Sequence, residues 1–352
     1  MHIVIIRLSA LGDVLTASPI AGLLRRTYPD ARLTWVIEDR CADLVVGNPH
    51  LDDVIALPSS RQWRTWWRTD RRRFRAEARA VRGRLRELRA DVVLDIHGLF
   101  KTAVLARAIR APRKIRPSNT KERVPFVYSE EVAPKLRDDY ITSMYVSLAE
   151  CLGAVAATAA DYQMLLPVDE AARAAMAAWR GERGLAPRGY VAVAPGTTWP
   201  QKHWVAARWA PTLDQLHAQT GLPAVLLGGP AEQELCAGIA GAMSSPVHSA
   251  VGATKLLETG ALLETAALCL TVDTGPMHMA VAVGCPTVAI YGPTPPRLFG
   301  PEAAYRPLYA ALDCAPCFRH PTCDGRFDCQ QAITPEMVVA AGLDLLAANP
   351  LD

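Results

Sequence analysis

The stretch IIRLSALGDVLTASP, Ile5 to Pro19, decides the fold. The apolar run that ends at Arg7 is short and rich in isoleucine and valine, which suits a strand buried on both faces. A few loop residues follow, and a helical pattern starts at Val14. Strand, loop and helix in this order make half of a βα unit. Phosphate-binding loops at this place carry several glycines. Here there is one, Gly12, followed by a carboxylate, Asp13. Two readings of Asp13 stand side by side. It can cap free backbone N–H groups and oppose the helix dipole. It can also reach into a cleft as a general base, with Gly12 letting another molecule approach closely.

The same alternation continues along the chain. Strands are expected at His2–Arg7, Leu33–Ile37, Asp53–Ala56, Val92–Asp95 and Lys114–Arg116, then again at Val191–Ala194, Ala224–Leu227, Leu268–Val272 and Thr287–Tyr291. Helical patterns lie between them: Val14–Thr27, Trp66–Leu88, Lys101–Ile109 and Asp139–Leu152, then Trp204–Gln219, Ala231–Ala242, Lys255–Thr265 and Met277–Val283. This is an α/β chain with parallel sheets covered by helices, and the series occurs twice. A length of 352 residues also suits two domains. The Ala- and Gly-rich segment 153–189 is weakly patterned for strands and is expected to hold the linker. The expected division is 1–165, 166–333 and a C-terminal helix in 334–352. In two such domains, ligands are expected at the C-terminal ends of the strands.

Half of the residues are hydrophobic and about a fifth are charged, as in soluble globular proteins. No apolar run is long enough to span a bilayer, and MHIVIIR lacks a leader pattern, so a cytoplasmic protein is expected. The net charge of +3 hides a basic segment. Residues 61–89 hold 12 arginines against Asp70, Glu77 and Glu87. A solvated helix face is the plain reading. Trp63, Trp66 and Trp67 point instead to an anionic membrane surface or amphiphile, because Trp favours a wet–apolar boundary and Arg pairs with phosphate or carboxylate. No nucleic-acid-binding motif accompanies the patch, so nucleic acid is not expected as a partner.

Several strand ends carry polar loops. APGTTWPQKHW, 194–204, sets Thr197, Thr198 and Lys202 beside a helix start, which suits a phosphate; an ordinary Pro/Gly turn with a surface lysine is the alternative. LLGGPAEQE, 226–234, puts Glu232 just past a tight glycine turn, where it can accept from ribose hydroxyls or stand exposed at a helix start. TVDTGPMHMA, from Thr271, ends a buried strand in Asp273, Thr274 and Gly275 and begins a helix at once. Gly275 allows a diphosphate to approach the helix N-terminus, and Pro276 fits the first turn. His278 lies in that turn and either faces the same ligand or is a satisfied partner within the fold. YGPTPP follows the next strand at the same rim. Hydrolase and P-loop motifs are absent.

Of nine cysteines, Cys41, Cys151, Cys236, Cys269 and Cys285 read as small core residues. Cys314, Cys317, Cys323 and Cys329 cluster as C-x2-C-x5-C-x5-C. This predicts a structural tetrathiolate for zinc or iron, with free thiols or a redox-labile pair as the alternative.

SALGDVL, DIHGLFKTA, TTWPQKHW, VDTGPMHMA and IYGPTPP, in this order, resemble the signatures of family 9 glycosyltransferases, the bacterial lipopolysaccharide heptosyltransferases. RQWRTWWRTDRRRFRAE and DIHGLFKTA are most similar to heptosyltransferase I, which acts on the Kdo region of lipid A core. The cysteine cluster is more typical of other branches. The resemblance implies the GT-B fold, two Rossmann-like domains with acceptor and nucleotide-sugar sites, whose C-terminal helix often crosses back to the first domain. It implies ADP-heptose as donor, Kdo-lipid A as acceptor, work at the cytoplasmic face of the inner membrane, and no cofactor for catalysis. By position, it implies Asp13 as catalytic base. Thr197, Thr198, Lys202, Glu232, Asp273, Thr274, Gly275 and His278 fall on the donor side, and Arg61, Arg64 and Lys101 on the acceptor side.

Overall fold

The computed structural model describes every residue except 121, 123, 125, 297, 301–303 and 351–352. In the unit Met1–Pro167 the strands are β1 (His2–Ile6), β2 (Arg32–Glu38), β3 (Asp53–Leu57), β4 (Val92–Asp95), β5 (Arg113–Pro117) and β6 (Glu130–Val132). Its helices are α1 (Leu11–Ala17), α2 (Pro19–Thr27), α3 (Ser60–Thr69), α4 (Arg71–Glu87), α5 (Phe100–Ala108) and α6 (Ile141–Glu150). The unit Val168–Asp352 holds α7 (Glu170–Gly181), β7 (Val191–Ala194), α8 (Ala206–Thr220), β8 (Ala224–Leu226), α9 (Gln233–Ala242), β9 (Val247–Ser249), α10 (Leu256–Glu264), β10 (Leu268–Val272), α11 (Gly275–Ala282), β11 (Thr287–Tyr291), β12 (Tyr305–Tyr309), α12 (Asp328–Gln331) and α13 (Pro335–Ala348).

Each unit carries one parallel sheet. The first runs β3-β2-β1-β4-β5-β6 and the second β12-β11-β10-β7-β8-β9, which is the same winding used twice. In the first, Ile3 pairs with Leu33 on one side and Val92 on the other, so the strand order reverses between β1 and β4. In the second, Ala194 pairs with Thr271 across the equivalent reversal between β7 and β10. Loops diverge at such a point and leave a crevice beyond the strand ends. The α/β, doubly wound fold expected from the sequence is therefore present in both units.

β1 and β10 are buried along nearly their whole length because helices cover both faces. Trp35 and Trp209 are fully buried anchors of the two cores. α13 packs on α8 and over β10 to β12. A Cβ at Gly342 would lie 3.0 Å from Leu268, so glycine allows this close helix–sheet approach.

Two expected helices are each divided. Pro19 has no N–H for a continuing helix, and the chain turns at Ser18, whose hydroxyl donates to Leu15 O at 2.7 Å. Asp70 interrupts the arginine-rich segment and caps α4 by accepting from Arg73 N at 2.9 Å. α3 starts earlier than expected, at a Ser59/Gln62 capping box. In the expected linker, Asp169 caps α7 by accepting from Ala172 N at 2.7 Å, and the alanine-rich sequence supplies helix propensity.

Candidate active site

At the reversal in the first sheet, Arg7 leaves β1 and turns inward. It is 8% exposed. Its Nη2 lies 2.7 Å from Asp13 Oδ2, and its Nη1 donates to Ile96 O, beyond β4, at 3.2 Å. Burial opposes the guanidinium charge, but Tyr145 and Asp13 outweigh it and raise the Arg7 pKa. Asp13 lies in the first turn of α1. Its Oδ2 also accepts from Ala10 N at 3.3 Å, so a weak helix-cap contact exists, while the carboxylate remains 53% exposed. The pair combines a fixed counter-charge with an open acid.

The β4 loop braces this arrangement. Asp95 is fully buried and accepts from His97 N at 3.0 Å, Gly98 N at 2.9 Å and the Tyr128 hydroxyl. Burial raises its pKa against those hydrogen bonds. His97 Nδ1 accepts from Leu8 N at 3.3 Å. Burial, then Arg7 and Lys101, push the His97 pKa down to about 3, so the ring is neutral and keeps that acceptor. Gly98 has φ +69°, and a Cβ there would meet Thr120 at 2.5 Å, so no other residue fits this turn.

Arg61 and Arg64 are exposed on α3. Phe74 of α4 packs edge-to-face on Trp63 and Trp67 of α3, and Trp63 packs likewise on Trp66 within α3, with ring centres 5.1–5.6 Å apart. Arg71 stacks over Trp67 at 3.6 Å and Arg73 over Trp66 at 4.5 Å. Lys101, in the first turn of α5, lies 3.5 Å from Glu38 Oε1. Glu38 is buried and also meets Arg40 at 2.8 Å and Ser60 at 2.6 Å.

At the reversal in the second sheet, the β7 and β10 loops meet. Lys202 Nζ lies 2.5 Å from Asp273 Oδ2, with the two side chains 13% and 15% exposed. The Thr294 hydroxyl donates to the same oxygen at 2.6 Å. Trp199 is covered on its ring by Lys202 and by Arg319, each 4.5 Å from its centre. Glu232 lies along two glycines. A Cβ at Gly196 would come within 2.1 Å of Glu232 Cγ, and one at Gly228 within 2.9 Å of Glu232 Cβ. Glu232 Oε2 accepts from Gly229 N at 2.8 Å. Thr197 is half-buried and Thr198 exposed. Thr274 precedes α11, whose first turn offers the backbone N–H groups of Gly275 and Met277, while Pro276 has none to leave unpaired. His278 packs edge-to-face on Phe299 at 5.1 Å. Thr197, Lys202, Glu232, Asp273 and Gly275 thus all sit on loops or turns that leave the C-terminal ends of β7, β8 and β10.

The sequence model for glycosyltransferase family 9 (heptosyltransferase) matches residues 78–326. The chain belongs to this family. Over 335 residues it is 26% identical to lipopolysaccharide heptosyltransferase 1 of Pseudomonas aeruginosa, covering 91% of this chain and 86% of that protein. It is 25% identical over 298 residues to lipopolysaccharide heptosyltransferase 3 of Escherichia coli, covering 80% of this chain and 81% of that protein. Among solved structures, a family 9 glycosyltransferase from Veillonella parvula superposes with TM-score 0.82 at 24% identity, covering 99% and 97% of the two chains. The heptosyltransferase WaaC of E. coli, solved with ADP-2-deoxy-2-fluoro heptose, superposes with TM-score 0.73 at 21% identity, covering 99% and 100%. The resemblance read from the motifs and the GT-B fold it implied both hold.

The four clustered cysteines of this family 9 glycosyltransferase follow β12, with Cys329 in α12. Cys314 is exposed, Cys317 half-buried, and Cys323 and Cys329 buried. Burial raises the thiol pKa of Cys317 and of Cys329, and neighbouring thiols of the cluster add to it. Yet among the described residues no three His, Cys, Asp or Glu side chains gather to hold a metal. The loop is tied down by hydrogen bonds: Phe318 N donates to Pro293 O at 2.9 Å, and Gln201 Nε2 donates to Phe318 O at 2.8 Å. It thereby braces the Trp199–Lys202 turn. Among the described residues no helix is long and apolar enough to cross a membrane.

Arg7, Glu38 and Thr294 escaped the sequence reading. Arg7 carried a usable signal, a charge placed directly after a buried strand. Glu38 is the last residue of β2. Thr294 lies inside YGPTPP, but its tie to Asp273 is a tertiary fact.

Proposed function

We propose that this glycosyltransferase moves L-glycero-D-manno-heptose from ADP-heptose to a hydroxyl of the Kdo region of lipid A core, with inversion. The observation that carries the reading is the Asp13 carboxylate, half open to solvent and held at 2.7 Å by a buried arginine at the sheet reversal. Asp13 takes the proton of the acceptor hydroxyl as its oxygen attacks the anomeric carbon. The bond from that carbon to the ADP oxygen breaks, and ADP leaves with the electron pair. A positioned base of this kind is worth about 10²–10⁴-fold in rate. Lys202, Thr198 and the backbone N–H groups at the start of α11 are assigned to the diphosphate, whose gathering charge they would stabilise. Glu232 is assigned to the ribose, Thr197, Asp273, Thr274 and His278 to the rest of the donor, and Arg61, Arg64 and Lys101 to acceptor carboxylates and phosphates.

In this reading the first unit binds the acceptor, the second binds the donor, and the enzyme works at the cytoplasmic face of the inner membrane. Similarity to heptosyltransferase 1 and to a structure solved with an ADP-heptose analogue supports the donor. The second reading is another acceptor, supported by the match to a lipopolysaccharide heptosyltransferase 3 at 25% identity over 80% of this chain.

Mass spectrometry of purified protein with ADP-heptose and Kdo-lipid A tests the proposal. One added heptose on the acceptor is expected, with ADP release that depends on the acceptor. Arg61→Ala and Arg64→Ala should raise acceptor KM more than donor KM. Acceptor-independent ADP release, or heptose added only to an already heptosylated core, would overturn the Kdo assignment.

A further inference from the structure

The first unit contains a cavity of about 1020 Å³, and of the residues assigned above to donor, acceptor and base only Lys101 lines it. This is at the upper end of the range of about 300–1,000 Å³ for small-molecule sites. Phe74, Ala78, Val81 and Leu85 recur on α4 at spacings of four, three and four, so they form one helical stripe, and that stripe lines the cavity, with Leu85 at its base joining the hydrophobic core and Val81 packed against it. Leu57 and Leu105 line it too. At its edge, Phe100, Val104 and Phe126 are 63%, 55% and 94% exposed, an arrangement that water alone does not favour. The polar lining is almost all cationic: Arg82, Arg86, Lys101, Arg107 and Lys114. The one carboxylate there, Glu38, is already bound to Arg40, Lys101 and Ser60. Burial and the nearby Arg107 depress the Lys114 pKa, as expected where cations lack a counter-charge.

We propose that this cavity holds one acyl chain of the anionic acceptor lipid, with the lipid's phosphates on the surrounding arginines and lysines. The inference rests on the reading of the chain as a lipid A core transferase. A sugar alone would find few hydrogen-bonding groups in such walls. A neutral greasy partner would leave Arg82, Arg86, Arg107 and Lys114, which have no ion pair among the described residues, without a counter-charge, whereas an anionic amphiphile matches both wall and rim.

The probes are dodecyl phosphate, octyl phosphate and inorganic phosphate, titrated calorimetrically into the full-length protein below the micellar range. Dodecyl phosphate should bind about 100-fold more tightly than octyl phosphate, since four extra methylenes are buried. Inorganic phosphate should not compete at this site. Ala78→Trp and, independently, Ala108→Trp fill the cavity from α4 and α5 and should each weaken dodecyl phosphate at least tenfold. The same variants should raise KM for acylated Kdo-lipid A and leave KM for the fully deacylated acceptor unchanged. Equal affinity for the two alkyl phosphates, or binding unaffected by both variants, would overturn the acyl pocket. Chain-dependent binding by a protein that glycosylates neither acceptor would overturn the transferase reading and leave the pocket supported.

Discussion

Replacing Lys202 by Met tests the donor loops quantitatively. The Lys202–Asp273 pair is at 2.5 Å with both side chains mostly buried. Removing one partner of a buried pair costs about 3–5 kcal/mol because the other charge is stranded. Thr294 still donates to Asp273, so the lower figure, about 3 kcal/mol, is expected here. For a unit of this size that lowers its thermal midpoint by about 6–12 °C. Adding Asp273→Asn removes the stranded charge and should restore most of the loss. ADP affinity separates structure from function in the same proteins. Lys202→Met takes away a charge-assisted contact and leaves an anion beside the diphosphate, so ADP should bind on the order of 100-fold more weakly. The double variant should regain only part of that affinity, since no cation returns. Differential scanning calorimetry and isothermal titration read both quantities as a double-mutant cycle. Unchanged melting in Lys202→Met would refute the structural pair. Wild-type ADP affinity in the double variant would show that Lys202 serves only to neutralise Asp273.

Arg7→Met should lower kcat about 10–100-fold with donor affinity unchanged, the value of one charge-assisted hydrogen bond to Asp13 expressed as rate. Arg7→Lys should recover little, because a point charge cannot serve both Asp13 and Ile96 O; full recovery would contradict the positioning role. His97 gives a pH dependence. Its folded pKa of about 3 lies below the ordinary value of about 6.5, so the unfolded chain takes up a proton first as pH falls. Its contribution is complete above pH 6.5 and shrinks toward pH 3, by on the order of 3 kcal/mol at pH 4. The stability gap between wild type and His97→Gln, measured by urea denaturation, should close by that amount between pH 7 and 4. Parallel pH curves would sink the assignment.

Buried strands were legible because their sequence needs no partner to interpret. Val92–Asp95 and Val191–Ala194 were read to the residue, since an apolar run closed by a polar loop admits little else. The strands that escaped, β6, β9 and β12, are all at sheet edges. Glu130 and Glu131 in β6 are there because they pair with Arg113 and Arg116 on β5, and β12 carries Pro307, which only an edge strand accommodates. Charges and proline read as loop until the neighbour is known.

The polar loops at the strand ends were legible as groups, because hydroxyl, cation and glycine beside a helix start are visible in one line of sequence. Their pairing was not. Nothing local joins Lys202 to Asp273, 71 residues away in sequence, or Arg7 to Ile96. The cysteine spacing suggested a metal because four thiols in a short loop are rare. In the fold, hydrogen bonds from Phe318 and Gln201 tie that loop to its neighbours.

The most direct test of the account is the turnover of Asp13→Asn with ADP-heptose and Kdo-lipid A, alongside its affinity for ADP-heptose. Amide for carboxylate keeps the shape and removes the base. The expected result is a fall in kcat of about 10²–10⁴-fold with donor affinity unchanged. Turnover near the wild-type rate would mean that another group takes the acceptor proton.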